Sequence, residues 1–138
     1  PTPTASQVLV QIRAIGVNPV DAICRSGKSA WMGIPFIPGF DAAGVVTGAD
    51  TNGRWKMGDR VYMSQVMGCY AEYVACEAEA LYPLPESASF ETGAALGIPY
   101  FTAFGSIFRR AALKAGETLF VRGASGAVGS AAVQWASI

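Results

Sequence analysis

The sequence GASGAVG, Gly123–Gly129, lies between the apolar run TLFV at 118–121 and the segment SAAVQWASI that follows it. Its glycines recur at every third position, and the flanking segments have the character of a strand and a helix. Such a unit opens doubly wound dinucleotide-binding folds. The first glycine allows a tight turn, the second lets the backbone approach a pyrophosphate, and the third lets helix and strand pack closely. The stretch therefore predicts a phosphate-binding glycine turn at the start of an α/β domain.

The predicted glycine turn would bind phosphates through backbone N–H groups at the start of the helix, where the helix dipole favours anions. Ser125 would add a hydroxyl donor, and Gly126 is expected to need dihedrals that only glycine adopts readily. A glycine-rich turn without a ligand is the alternative, and the strand and helix on either side favour binding. The residues predicted to contact the phosphates are Gly123, Ser125, Gly126, Ala127, Val128 and Gly129.

The chain before this unit is rich in short apolar runs separated by glycine and proline. VLVQIRAIGV at 8–17 predicts a strand, because branched residues dominate it. VDAICRSG predicts one or two helical turns ending at Gly27. Three further strands are predicted in FDAAGVVTGAD, RVYMSQV and GCYAEYVAC. Many short strands with such connections indicate a barrel-like or sandwich unit.

The pattern changes near Phe90. FETGAALGI predicts a helix that Pro99 interrupts, and Tyr100–Leu113 predicts a second helix. This change places a domain boundary near the middle of the 90–100 segment. We therefore expect one domain over residues 1–95 and a second over residues 96–138.

Composition excludes several classes of partner. The 138 residues include ten basic and ten acidic side chains, with no basic run that would indicate nucleic acid or a membrane surface. No apolar run approaches the roughly 20 residues of a spanning helix, and the first residues lack a secretory pattern. Three widely spaced cysteines argue against a disulfide framework. A cytoplasmic protein is expected.

Several longer stretches together resemble one enzyme family. The stretches are IRAIGVNPVDAICRSG, IPFIPGFDAAGVV, GDRVY, GCYAEYV, GIPYFTAFGSIF and LKAGETLFVRGASGAVGSAAVQWA, in that order along the chain. They resemble the quinone oxidoreductase, or ζ-crystallin, branch of the medium-chain dehydrogenase/reductase superfamily. The resemblance implies a β-rich GroES-like domain followed by the start of an α/β Rossmann domain. It also implies that the chain is a fragment, inactive and marginally folded by itself, because the family's Rossmann sheet is longer.

The same resemblance implies a reaction and its cofactor. Members of the branch transfer hydride from NADPH to a quinone or an α,β-unsaturated carbonyl compound, and they form homo-oligomers. NADH stays open, because the residue that reads the ribose 2′ position lies beyond Ile138. An enoyl-reductase module of a fatty-acid or polyketide pathway is an alternative. A non-catalytic, truncated structural or binding form is another.

No metal is expected in this chain. The sequence contains no histidine, whereas zinc-dependent relatives bind the metal through cysteine and histidine. Where those relatives have Gly-Val-Cys this chain has Gly16-Val17-Asn18, and where they have Gly-His-Glu it has Gly39-Phe40-Asp41. The resemblance therefore points to the zinc-independent branch, and the three cysteines are interpreted as packing residues.

Four residues outside the glycine turn are candidates for the site. The resemblance places Asn18 beside the nicotinamide ribose and Thr102 near the nicotinamide, and Asp21 would organise the Asn18 loop. Phe36 occupies a position where several relatives carry a tyrosine that contacts cofactor or substrate. Each has a structural alternative: a loop cap for Asn18, a helix-start acid for Asp21 and a hydroxyl bonded to its own helix for Thr102. Three tyrosines are expected to pack in strands: Tyr62, Tyr70 and Tyr73.

Overall fold

The computed structural model describes residues 1–29, 32–48 and 53–138. These residues divide into two compact units, Pro1–Gly97 and Ile98–Ile138. The division falls two residues after the predicted boundary at 95/96. Each unit is described by itself below.

The first unit is built on five strands and a short helix. The strands are β1 (Gln7–Gly16), β2 (Asp41–Gly48), β3 (Arg60–Ser64), β4 (Tyr73–Glu77) and β5 (Leu81–Pro83). They form one antiparallel sheet in the order β4-β1-β2-β3-β5. Helix α1 (Pro19–Arg25) lies between β1 and β2 in the chain. The predicted strands at 8–17, in FDAAGVVTGAD and in RVYMSQV are confirmed, although Ala49 and Asp50 lie outside the described residues.

The larger of two core clusters in this unit lies against one face of the sheet. Side chains alternate along β1 and β3, so that Val8, Val10, Val61 and Met63 are all fully buried. Their partners come from β4, β5 and the loops, and include Cys76, Leu81, Trp55 and Cys69. Trp55 also donates its indole N–H to the carbonyl of Ala78 at 2.9 Å, so its one polar atom is satisfied. Burial in this core explains why apolar alternation predicted these strands correctly.

The segment GCYAEYVAC departs from the prediction. Strand β4 begins only at Tyr73, and the residues before it form a turn. The reason lies in their hydrogen bonds, because the amides of Gly68 and Cys69 donate to the carbonyl of Gly39 and the amide of Tyr70 donates to that of Pro38. These groups are engaged by another loop and are therefore not available to a strand ladder.

Helix α2 (Phe90–Phe104) is kinked where the sequence predicted an interruption. The deviation falls at Gly97 (φ −52°, ψ −108°), two residues before Pro99. The proline lacks an amide proton, and its ring clashes with the preceding turn, so the chain departs from helical geometry just before it. A Cβ at Gly97 would collide with the carboxylate of Asp41, so glycine is required at this close approach.

The second unit contains the end of α2, a π-helical segment (Gly105–Arg110) and helix α3 (Ala127–Ala136). Its buried residues are Ala103, Ile107, Ala131 and Ala132. Phe104, Phe108 and Trp135 meet in tilted or edge-on ring contacts, with centroids 5.1–6.0 Å apart. The aromatic side chains thus hold α2 and α3 together around a small core.

The predicted strand TLFV is wrong for this chain, although the final helix is confirmed. Residues 118–121 have no regular secondary structure, and Phe120 is 89% exposed. A strand is stabilised by hydrogen bonds to a neighbouring strand. None of the described residues forms a strand that pairs with residues 118–121. No helix in the described part of the chain has the length and apolar character needed to cross a membrane.

Candidate functional site

A cavity of about 420 Å³ opens in the first unit beside α1. Its walls include Asn18, Asp21, Ala22, Arg25, Pro38 and Tyr70. Helix α1 supplies Asp21, Ala22 and Arg25, and one turn separates Asp21 from Arg25, which places these two on one face. Two residues predicted for the site therefore line the same cavity, together with Tyr70, which the sequence predicted to pack in a strand.

Asn18 is held by its side chain and by its main chain. It precedes Pro19, the first residue of α1, and only 7% of it is exposed. Its Nδ2 donates to Oδ2 of Asp41 at 2.8 Å. Asp41 is the first residue of β2 and is fully buried. Because a carboxylate oxygen can only accept, the amide nitrogen must face Asp41, which fixes the orientation of the amide group.

Asp21 joins three parts of the site. It is 4% exposed, and its Oδ2 accepts hydrogen bonds from the backbone N–H of Asn18 at 2.8 Å and from the hydroxyl of Tyr70 at 2.9 Å. The first bond satisfies a backbone amide at the start of α1. Asp21 therefore also has the structural role of an acid at the start of a helix. The second bond extends the same contact to the loop before β4. Asp21 therefore connects the Asn18 turn with the loop that carries Tyr70.

Tyr70 reaches Asp21 from a loop that is itself fixed. Its ring lies against Gly39, whose φ of +93° and crowded Cβ position exclude other residues there. Desolvation and, after it, the hydrogen bond to the Asp21 carboxylate raise the pKa of Tyr70 to about 12, whereas Arg25 partly lowers it. The hydroxyl therefore stays protonated and acts as a donor. The sequence analysis missed this role, since nothing in GCYAEYV distinguishes Tyr70 from Tyr73.

Phe36 and Thr102 are not among the residues that line this cavity. Phe36 is half-buried in the loop before β2. Thr102 is exposed on α2 and belongs to the second unit. Their predicted roles near a cofactor stay predictions.

The backbone requires glycine at two of the three glycine positions of the turn. Gly123 has φ +73°, the left-handed region that favours glycine. A Cβ at Gly129 would collide with the carbonyl oxygen of Gly123 and lie 2.8 Å from the Cα of Ala124. Gly126 has ordinary extended dihedrals (φ −77°, ψ 164°), and a Cβ there would come no closer than 3.4 Å to its nearest neighbour, the Gly123 oxygen. The expectation of glycine-only dihedrals at Gly126 is therefore wrong.

The start of α3 is open to an anion. Gly126 precedes the helix, and no side chain caps it among the residues that the structure describes. The amide of Gly126 donates to the carbonyl of Gly123 at 3.0 Å, and the Ser130 hydroxyl donates to the carbonyl of Ala124 at 3.0 Å, which hold the turn in shape. Ser125, Ala127 and Val128 are exposed. The first turn contains no acidic residue, so its positive dipole end is not neutralised from within.

The cysteines are buried and free. Cys24, Cys69 and Cys76 form no disulfide, and Cys69 donates its thiol proton to the carbonyl of Val66 at 2.9 Å. Burial raises the pKa of Cys69 and of Cys76 to about 12. Both are therefore protonated packing residues near neutral pH, as predicted. In the described part of the chain, no three histidine, cysteine or acidic side chains come together as a possible metal site.

Comparison with known proteins shows to which domain family the chain belongs. The alcohol dehydrogenase GroES-like domain family matches residues 4–86, and the chain belongs to that family. The predicted β-rich GroES-like domain is confirmed by this match and by the antiparallel sheet of the first unit.

Individual relatives within this family include quinone oxidoreductases and an enoyl reductase. The chain is 47% identical to mouse quinone oxidoreductase over 137 residues, which are 97% of this chain and 41% of the relative. It superposes on Escherichia coli quinone oxidoreductase complexed with NADPH with a TM-score of 0.90 and 31% identity, covering 99% of this chain and 43% of the other. JamJ enoyl reductase gives a TM-score of 0.87 and 28% identity, covering 99% and 44%. The predicted resemblance to quinone oxidoreductases is confirmed, and the chain spans less than half the length of these relatives.

Proposed function

We propose that the full-length gene product containing this chain is a zinc-independent reductase that transfers hydride from NADPH to a quinone or an α,β-unsaturated carbonyl compound. The observation that carries the proposal is Gly126. The chain's own geometry accounts for Gly123 and Gly129, whereas nothing in the described structure requires glycine between them. Glycine at such a position is explained by a ligand that approaches the backbone closely.

The uncapped start of α3 fits the phosphates of a dinucleotide. The exposed N–H groups of Ala127 and Val128 would donate to phosphate oxygens, with the Ser125 hydroxyl beside them. NADPH, when bound, supplies the hydride, and the chain contributes binding and orientation. We propose NADPH rather than NADH as the cofactor because the similar E. coli quinone oxidoreductase was solved in complex with NADPH.

In the cavity beside α1, the resemblance supports a contact between Asn18 and the nicotinamide ribose. Asp41 fixes the amide of Asn18, and Asp21 fixes its backbone, so Asn18 is preorganised to hydrogen-bond a nicotinamide ribose. Asn18 stands where zinc-dependent relatives carry a cysteine ligand, and its engagement with Asp41 gives that position a purpose that needs no metal. Thr102 and Phe36 are proposed as further contacts on the strength of the resemblance alone.

The test is to place a side chain at Gly126. In the full-length protein, Gly126→Val should weaken NADPH binding by roughly two to four orders of magnitude. The reason is that two charge-assisted hydrogen bonds of about 1.5–3 kcal/mol each would be lost. Fluorescence titration with NADPH measures the dissociation constant. Valine is compatible with the dihedrals of Gly126, so the variant should fold.

Gly48→Val serves as the matched control. A Cβ there would meet only the Cβ of Leu9 at 3.5 Å, an ordinary contact between β2 and its neighbour β1. It should bind NADPH like the parent. If folded Gly126→Val binds NADPH within a few-fold of the parent, the glycine turn is not the phosphate site and the proposal fails.

An enoyl-reductase activity is the second candidate, because JamJ enoyl reductase shares the fold at 28% identity. NADPH oxidation measured in parallel with a quinone and with an enoyl thioester separates the two activities. The family resemblance further supports a homo-oligomer in the cytoplasm. Absence of both oxidation reactions in a protein that binds NADPH would favour the non-catalytic alternative.

A further inference from the structure

We propose that Tyr70 is a positioning residue for the candidate site, and that its hydroxyl, acting through Asp21, fixes the turn that presents Asn18 to the cavity. The inference rests on the proposed function, since it takes Asn18 to contact bound cofactor. Tyr70 itself is given no contact with the reacting atoms.

One carboxylate oxygen carries the connection. Oδ2 of Asp21 accepts from the Asn18 N–H at 2.8 Å and from the Tyr70 hydroxyl at 2.9 Å. The two donors come from segments about fifty residues apart in sequence. Asp21 is nearly fully buried, so water does not readily replace a lost donor. The position of Asn18 therefore depends on a hydroxyl that reaches Asp21 from a different loop.

Ring packing and backbone hydrogen bonds hold Tyr70 in place for this role. Its ring covers Gly39, and its backbone N–H donates to the carbonyl of Pro38 at 2.9 Å. The amides of Gly68 and Cys69 donate to the carbonyl of Gly39 at 3.1 and 3.2 Å. These bonds tie the loop before β4 to the loop before β2. The hydroxyl thus stands at the end of a ring that cannot easily move away from Asp21.

Packing alone does not explain the hydroxyl. A phenylalanine would cover Gly39 equally well, but it could not donate to Asp21. The other oxygen of Asp21, Oδ1, is buried and has no hydrogen-bond partner in the described structure. Without Tyr70, the carboxylate would keep one donor, the Asn18 amide, and would be free to rotate about it. We therefore expect the Asn18 turn to loosen while the surrounding core stays packed.

The test is a double-mutant cycle on the full-length protein. Tyr70→Phe should raise the dissociation constant for NADPH about 3- to 10-fold, the loss expected for one hydrogen bond. In an Asn18→Ala background, the same substitution should cause no further loss, because the group that Tyr70 positions is gone. Tyr73→Phe is the matched control, since the Tyr73 hydroxyl accepts from Gln11 at 3.0 Å on the exposed sheet edge. It should leave binding unchanged.

The outcomes separate the two proposals. If the parent does not bind NADPH, the proposed function fails. If Asn18→Ala weakens binding while Tyr70→Phe does not, or if the two losses add, the role of Tyr70 is overturned and the proposed function stands. Should Tyr70→Phe fail to fold, Asp21→Asn supplies the same test, and independence from Asn18→Ala again overturns the inference. A merely structural Tyr70 would lower the melting temperature equally in both backgrounds without this dependence in binding.

Discussion

The two units of this chain treat similar sequence patterns differently. In the first, β1, β2 and β3 find hydrogen-bonding neighbours within the unit, and leucine, valine and methionine side chains are fully buried. In the second, the equally apolar residues 118–121 have no ladder, and Phe120 lies in solvent. Apolar, branched composition therefore makes a segment able to form a strand, whereas a neighbour along the sheet decides whether it does.

The same contrast appears in the candidate sites. The cavity beside α1 is lined in part by Asn18, Asp21 and Tyr70, which hydrogen bonds join to one another, and Asn18 is also bound to the buried Asp41. The glycine turn is made by backbone, and Ser125, Ala127 and Val128 are exposed on it. The first kind of site depends on distant parts of the fold, and the second on one local turn.

The difference between the two units should have its largest effect on the rates of amide hydrogen exchange in the 138-residue chain. Amides in β1 and β2 should exchange at least about 1000-fold more slowly than those in α3, because opening the sheet breaks a closed core, whereas α3 packs on a small one. Exchange measured residue by residue by NMR decides this. Comparable protection in α3 and β1 would show that the second unit is as stable as the first.

Local signals predicted the fold well wherever a segment depends on its own residues. Asn18-Pro19 and Gly27 delimited α1, and Pro99 marked the kink in α2. The strand in GCYAEYVAC was placed too early, because the amides of Gly68, Cys69 and Tyr70 are taken by the carbonyls of Pro38 and Gly39. That pairing joins residues about thirty positions apart, and no window of sequence around Tyr70 contains it.

A matched pair of leucines sharpens the comparison. Leu81→Ala removes a side chain that is fully buried in the sheet core and should lower the free energy of unfolding of the first unit by about 3 kcal/mol. Leu119→Ala removes the same atoms from a half-buried position in the second unit and should cost about 1 kcal/mol or less. Urea unfolding followed by unit-specific NMR signals measures both. Equal losses would contradict the view that only the first core is closed.

The candidate site was predictable in part, and the reason differs by residue. Asn18, Asp21 and the glycine turn were assigned to the candidate site because spacing and resemblance mark them in the sequence. Tyr70 and Asp41 were not assigned to the site, since they join it through hydrogen bonds to α1 from other loops and strands. The interpretation of Gly126 also changed, because only the backbone geometry separates a glycine required by the turn from one that the turn does not require.

The smallest expected effect is an alkaline loss of stability confined to the first unit, which contains all three cysteines. Burial raises the pKa of Cys69 and Cys76 to about 12, whereas an unfolded thiol has a pKa of about 8.5. The native state therefore keeps protons that the unfolded state releases. Its stability is unaffected below about pH 8.5 and falls as pH rises towards 12.

Between pH 8 and pH 9 the two thiols together should cost the first unit about 1 kcal/mol of unfolding free energy. Urea unfolding can be followed by tryptophan fluorescence in a Trp135→Phe background, where both remaining tryptophans, including the buried Trp55, lie within residues 1–97. Cys76→Ala should remove about half of the pH dependence, because it deletes one of the two thiols. An unchanged slope in that variant, or a parent whose stability does not fall over this interval, would show that the thiols are not held protonated by the sheet core.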